Sequence, residues 1–249
     1  MVVATHSPTP VHPPTQAPVL TSALTFQAFL EQCPEDGRYE LVDGKIIDMR
    51  PLRAHQNIAR FLVKQFDREA ERLGLGYIVD KDIVLRTLTA TGMSRGRMPD
   101  VTVVAESVWN ADVMTYGALT VPPQLVVEVV STNWEDDYVD KLEEYDRLGI
   151  AEYWIVDYLA IASRHHLGNP KQPSIFVYHK ASPASPAPAD PANPADLSPP
   201  ADPPEPDETL GYSQTRFQGD SPIVSPTFPE LALTAAAIIA AAGPNASLG

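Results

Sequence analysis

Residues 125–130 read L-V-V-E-V-V, and this run constrains the fold more than any other stretch of the chain. It is apolar on both faces of a strand, so it belongs in the middle of a sheet covered on both sides. A helical pattern follows as far as Leu148, where Gly149 stops it, and a second apolar run opens at Tyr153. Strand, helix and strand in that order predict a parallel pair joined by a right-handed crossover, and hence an α/β chain. Two charged residues sit where this plan leaves no room for them. On the strand, Val126, Glu128 and Val130 point one way and Leu125, Val127 and Val129 the other. On the helix, Tyr138, Leu142, Tyr145 and Leu148 make an apolar stripe, and Lys141 lies along it. A buried lone charge is costly unless it is paired or bound to a metal. Each residue also has a plainer reading. Glu128 could be a strand-end carboxylate paired with an arginine, and Lys141 a lysine whose stem packs while its amine reaches water.

The remaining pattern fills in the frame. A helix is predicted over 25–32, with Thr25 as cap. Asp43-Gly44, between two short apolar runs, predicts a hairpin. A long helix is predicted over 54–73, ended by Gly74. A strand follows over 77–88, then a loop over 89–97 containing Gly92 and Gly96. Another strand opens at Pro99, where a missing N–H is tolerated. Residues 106–121 read as an irregular connection. Thr132 and Glu135 have capping-box spacing ahead of the helix that carries Lys141. Strands are predicted over 153–157, 174–179 and 212–217 and at Ile223-Val224, with a helix over 234–242.

Composition divides the 249 residues. Residues 1–19 read as a disordered arm with no basic segment and no apolar core, hence no secretory signal. Residues 182–208 hold ten prolines, six acids and no base, and read as a disordered insertion. One domain is expected over 20–181 and 209–242, with a tail at 243–249. The single cysteine, Cys33, fits a reducing compartment. No run is long and apolar enough to span a membrane, so a cytoplasmic protein is expected. The net charge of −14 argues against a strongly nucleic-acid-binding surface. It falls to about −8 once the insertion's six acids are set aside.

Asp100 follows Pro99 at a strand entrance, a common place for an aspartate; if its strand neighbours that of Glu128, the two carboxylates suit Mg²⁺. Glu40 is a third acid, or the partner of Arg38 or Lys45. His55 and the pair His165-His166 have no metal-ligand spacing and read as surface or turn residues. The acids of Trp134–Asp137, W-E-D-D, read as a helix N-terminal turn. Lys45, Arg50, Arg53 and Arg60 read either as a phosphate track or, more simply, as a solvated face.

These fragments occur in a telling order: Y-E-L-V-D-G, R-M-P-D-V, P-P-Q-L-V-V-E-V-V-S, D-K-L-E-E-Y, G-I-A-E-Y-W-I-V-D and F-Q-G-D-S-P-I-V-S-P-T-F-P-E-L-A-L-T. Together they resemble the Uma-type restriction endonuclease-like family, abundant in cyanobacteria, of the PD-(D/E)XK nuclease superfamily. The resemblance implies a restriction-endonuclease-like α/β core with a mixed central β-sheet flanked by helices. It implies Asp100 and Glu128 as metal ligands, Glu40 as a third acid of the same cluster at the metal, and Mg²⁺, with Mn²⁺ as substitute. Val130 stands where the superfamily pattern has its lysine; in the Uma-type branch the amine comes from the following helix, a position Lys141 matches. The implied activity is endonucleolytic hydrolysis of phosphodiester bonds, with DNA as substrate and a homodimer as a compatible assembly. The alternative is a nuclease-like module that binds nucleic acid or protein without cleaving. A purely structural domain with arginine-paired acids is the third reading.

Overall fold

The computed structural model describes residues 23–34, 36–180, 211–244 and 246. The expectations for 1–19 and 182–208 lie outside them. The expected mixed sheet flanked by helices is present, and a second sheet accompanies it. The larger is built from β3 (Tyr77–Asp80), β6 (Val101–Ala105), β8 (Leu125–Val129), β9 (Glu152–Asp157), β10 (Ser174–Lys180) and β11 (Tyr212–Phe217). Its order is β11-β10-β9-β8-β6-β3, and it is mixed: β8 and β9 are parallel and the other neighbours antiparallel. The smaller sheet has the order β2-β1-β5-β4-β7, from β1 (Tyr39–Val42), β2 (Lys45–Asp48), β4 (Val84–Leu88), β5 (Ser94–Arg97) and β7 (Ala118–Leu119). The helices are α1 (Phe26–Gln32), α2 (Arg53–Leu73), α3 (Glu106–Trp109), α4 (Lys141–Leu148), α5 (Arg164–Leu167) and α6 (Ala235–Ala240).

The alternation in β8 decides what each face of the large sheet meets. Leu125, Val127 and Val129 join one core with Ile58, Leu62 and Phe66 of α2. Val126 and Val130 join another with Tyr138, Leu142 and Tyr145 from the α4 region, and with Leu85 and Leu119 of the small sheet. Helix α4 is therefore enclosed between the two sheets. Immediately before it, Asp136–Asp140 form a π-helical turn. The Tyr153 hydroxyl on β9 donates to the Asp137 carbonyl at 2.9 Å and fixes this turn to the sheet.

Five local expectations are corrected. The strand expected over 77–88 breaks at Lys81, and its halves enter different sheets. Asp80 Oδ1 accepts from the backbone N–H groups of Lys81 and Asp82, which closes a turn there. The loop expected over 89–97 contains β5, paired antiparallel with β4. Its sequence, S-R-G-R, carries no apolar signal, so backbone pairing alone reveals it. Ile223-Val224 is not a strand; an isolated bridge joins Pro222 to Thr234 nearby. The Thr132–Glu135 capping box does not form, and helical structure begins at Trp134. The connection over 106–121, expected to be irregular, holds α3 and β7.

Other local readings hold. Thr25 Oγ1 accepts from the Ala28 N–H and caps α1. Gly74, with φ +63°, ends α2. Asp43 and Gly44 take φ of 49° and 73° and join β1 to β2. A Cβ on Gly44 would stand 2.3 Å from Ala23 Cβ and 2.8 Å from its Cα, whereas one on Gly92 would meet nothing within 4 Å. Both glycines have positive φ. Gly44→Ala is therefore expected to cost about 2–3 kcal/mol and Gly92→Ala about 1 kcal/mol, read as unequal drops in thermal midpoint.

Candidate active site

The parallel pairing of β8 with β9 and the antiparallel pairing with β6 bring Asp100 beside the Glu128 strand. The Asp100 N–H donates to the Val127 carbonyl at 3.0 Å, and the Val129 N–H donates back to Asp100 Oδ2 at 2.8 Å. His55 Nε2 of α2 lies 3.0 Å from the same oxygen, and Arg38 donates to Oδ1 at 3.3 Å. Burial alone would raise the Asp100 carboxyl, but His55, Arg38 and the Val129 N–H outweigh it and hold it below the usual range.

Glu128 faces the α4 side, as the alternation requires. Lys141, 3% exposed, places Nζ 3.1 Å from Glu128 Oε2, 3.0 Å from Asp137 Oδ1 and 3.7 Å from Glu40 Oε1. The Tyr145 hydroxyl donates to Glu128 Oε1 at 2.6 Å. Both oxygens of Glu128 are thus held from the enclosed helix. Val130 points to the same side of β8, so the amine arriving from the helix covers the face a strand lysine at 130 would share.

The electrostatics are those of crowded acids. Burial pushes the Glu128 carboxyl well up; Lys141 opposes this, while Asp100, Asp137 and Glu40 add to it. Burial likewise lifts Asp137 to about 6 against the pull of Lys141. Burial alone would lower the Lys141 amine, but Asp137, Glu128 and Glu40 outweigh it, and the ammonium is stabilised.

Glu40 has a different setting. Its Oε2 accepts from Arg97 at 2.9 Å and its Oε1 from the Met98 N–H at 3.2 Å. It stands behind Lys141 and does not line the cleft that Asp100, Glu128, Asp137 and Lys141 share, a cavity of about 300 Å³. Arg97 is fully buried. It binds both oxygens of Glu144 at 2.9 and 2.8 Å and reaches Asp136 at 3.1 and 3.2 Å. Arg95, next but one on β5, adds a 2.6 Å bond to Glu144. The small sheet is fastened to α4 through these arginines.

Sequence reasoning missed three members of this cluster. Asp137 reads from sequence as part of a helix N-terminal turn, although it lies four residues before Lys141, the spacing at which an acid and a base meet. His55 was set aside as a surface residue and is instead buried against Asp100. Arg97 lay in an expected loop. His165 and His166 meet edge to face, with His166 tilted against the Tyr138 ring, outside the cleft that the carboxylates line. Among the described residues, no three His, Cys, Asp or Glu side chains converge on one metal position. Three carboxylates line the cleft, Asp100, Glu128 and Asp137; with Asp137 bonded to Lys141, Asp100 and Glu128 are an oxygen pair suited to a hard cation that keeps several waters.

Two mixed sheets enclosing a helix, with carboxylates and an amine at one cleft, define a nuclease-like α/β protein. The chain is similar in fold to a crystal structure of a putative nuclease from Anabaena variabilis, with a TM-score of 0.58 and 15% identity over 88% of this chain and 99% of that one. The family model described as putative restriction endonuclease, Uma2, matches residues 26–202, and the chain belongs to that family. No curated protein matches. No helix among the described residues is long and apolar enough to cross a membrane.

Arg97→Met removes the cation from two buried carboxylates, Glu40 and Glu144. It is expected to cost about 3–5 kcal/mol in urea denaturation. Adding Glu144→Gln should recover part of that loss, because the two changes act on one pair.

Proposed function

We infer that the protein is a divalent-metal-dependent phosphodiester hydrolase acting on DNA, with Asp100 and Glu128 as the metal ligands. The observation that carries this reading is the 3.1 Å approach of the Lys141 amine to Glu128 inside the cleft that Asp100 lines. Family membership supports the nuclease class. When bound, Mg²⁺ would make a water nucleophilic at neutral pH and offset charge on the phosphoryl oxygens. The excess of acids at the cleft fits such a cation, since Asp100, Asp137 and Glu40 all oppose ionisation of Glu128.

The chain's own residues do the rest. Val129 N–H, Arg38 and His55 fix Asp100 in its ionised form. Tyr145 and Lys141 orient Glu128 from its two oxygens. Lys141, kept as an ammonium, presents hydrogen-bond donors to the attacking water or to the phosphoryl oxygens. Asp137 holds the amine in place, and its carboxyl near 6 is suited to accept a proton at neutral pH. Glu40 serves as a support for Lys141, its oxygens being committed to Arg97 and Met98.

Cleavage of plasmid and single-stranded DNA with Mg²⁺ or Mn²⁺ tests this reading. Asp100→Ala, Glu128→Ala and Lys141→Ala should each lower the rate by about 10²-fold or more. Equal activity in wild type and all three variants would mark a contaminant and remove the assignment. Binding without cleavage in the wild type would instead leave a nuclease-fold binding module.

Proton linkage gives a second test. Asp137 binds its proton more tightly folded than unfolded, so its contribution to stability is present below 3.8 and is lost as pH rises through about 6. Glu128 acts in the same direction. Asp100 acts oppositely, in a window below 3.8. The metal-free protein should therefore lose stability between about pH 4 and pH 7, and Mg²⁺ should raise the thermal midpoint more at the higher pH. Calorimetric titration in buffers of different ionisation heat should record proton release on binding. A pH-independent Mg²⁺ affinity would exclude Glu128 as a ligand.

A further inference from the structure

Eighteen lysines and arginines face thirty-two acids in this chain, and all eighteen lie among the described residues. Eight of them form ion pairs there. Of the ten without a carboxylate partner among the described residues, four lie on α2: Arg53, Arg60, Lys64 and Arg68. The helix is charged in a lopsided way. It runs R-A-H-Q-N-I-A-R-F-L-V-K-Q-F before its first acid, Asp67. The helix dipole favours the reverse order, acids at the start and bases at the end, so helix stability does not account for the arrangement.

Arg60 and Lys64 are one turn apart, about 6 Å along the axis. With Lys81 they line a groove of about 580 Å³. That groove shares Arg38, Pro51, His55 and Asp100 with the carboxylate cleft, so the two cavities adjoin. The acids on its lining are already engaged. Asp80 accepts from two backbone N–H groups, and Asp100 from Arg38 and the Val129 N–H. At the junction, His55 carries a buried Nδ1 with no partner among the described residues. Cations spread along a groove that borders a smaller cleft suit a linear polyanion better than a single small anion.

We propose that this groove is the track by which a nucleic-acid strand reaches the site, its phosphodiester backbone held by Arg60, Lys64 and Lys81. The proposal rests on the phosphodiester-hydrolase reading and specifies where its substrate runs. Contacts of this kind fix position without reading sequence, and they weaken with salt. In a chain of net charge −14 they also confine polyanion binding to one surface.

The test is fluorescence anisotropy with short labelled DNA and RNA oligonucleotides in EDTA, across a salt series. It compares wild type with Arg60→Ala/Lys64→Ala/Lys81→Ala and with a control, Lys45→Ala/Arg164→Ala, outside the groove. All substituted groove residues are exposed, and circular dichroism confirms folding. The triple variant should bind about tenfold more weakly or worse at low salt, and its salt slope should fall by roughly 2–3. The control should bind within about twofold of wild type. DNA or RNA binding lost in the triple variant supports the track, and the two oligonucleotides identify which backbone it accepts. Wild-type affinity in the triple variant, or equal losses in the control, overturns it. Groove-dependent binding with no cleavage by any preparation would support the track while the hydrolase reading fails. Cleavage with unchanged KM in the triple variant would do the opposite.

Discussion

Arg97 and Lys141 are the two cations without which this fold could not bury its acids. Glu40, Glu128, Asp137 and Glu144 all lie below one tenth exposed within one connected cluster. Carboxylates so placed repel one another and each resists desolvation. Arg97 meets Glu144 with two bonds and Glu40 with a third, and Lys141 meets Glu128 and Asp137. Glu40 touches both cations, at 2.9 Å from Arg97 and 3.7 Å from Lys141, and so couples the two groups. The fastening of the small sheet to α4 and the placement of the amine over β8 are consequently one electrostatic arrangement.

That coupling explains the division of labour among the acids. Glu144 is held low: burial would raise it, but Arg97, Thr87 and Arg95 outweigh this. Asp100 is held low by His55, Arg38 and a backbone N–H. Glu128 and Asp137, which share one ammonium, are pushed up. Glu144, held by two arginines, ties the small sheet to α4, while the under-compensated Glu128 and Asp137 line the cleft together with Asp100. A perturbed carboxylate pair at a cavity is where a cation or a proton would do chemistry.

The legibility of the sequence follows the same line. Alternation in 125–130 placed Glu128 on its face, and the stripe on the following helix placed Lys141, because both signals are apolar periodicities that burial enforces. Asp100 was readable from the short P-D-V entrance to β6. The resemblance placed Glu40 with the acids, but only side-chain geometry separates a carboxylate lining the cleft from one tied to Arg97. Arg97 itself was not readable. Its strand, S-R-G-R, has no apolar residue, and Gly96 is small because a Cβ there would come 3.0 Å from a Phe29 ring atom. His55 was hidden because its partner, Asp100, is distant in sequence. The split of 77–88 was hidden because a single Asp80 side chain turns the backbone.

In a strand-borne arrangement, a lysine two residues after the carboxylate is carried by the same rigid ladder. Here the amine rides on a helix that follows a π-helical turn, and its position depends on how that turn is seated. Such turns recur at functional sites because they set side chains off the regular helical phase. Tyr153 fixes this one by its bond to the Asp137 carbonyl, and Asp137's own carboxylate then takes the amine. The helix is further enclosed by a second sheet, which leaves Lys141 3% exposed. A longer side chain on a mobile support would place its charge poorly; a helix clamped on both faces gives the lysine the fixed geometry that preorganised electrostatic stabilisation requires. The small sheet, which carries none of the residues lining the carboxylate cleft, therefore acts on the site through Arg97 and Arg95, by holding α4 against β8.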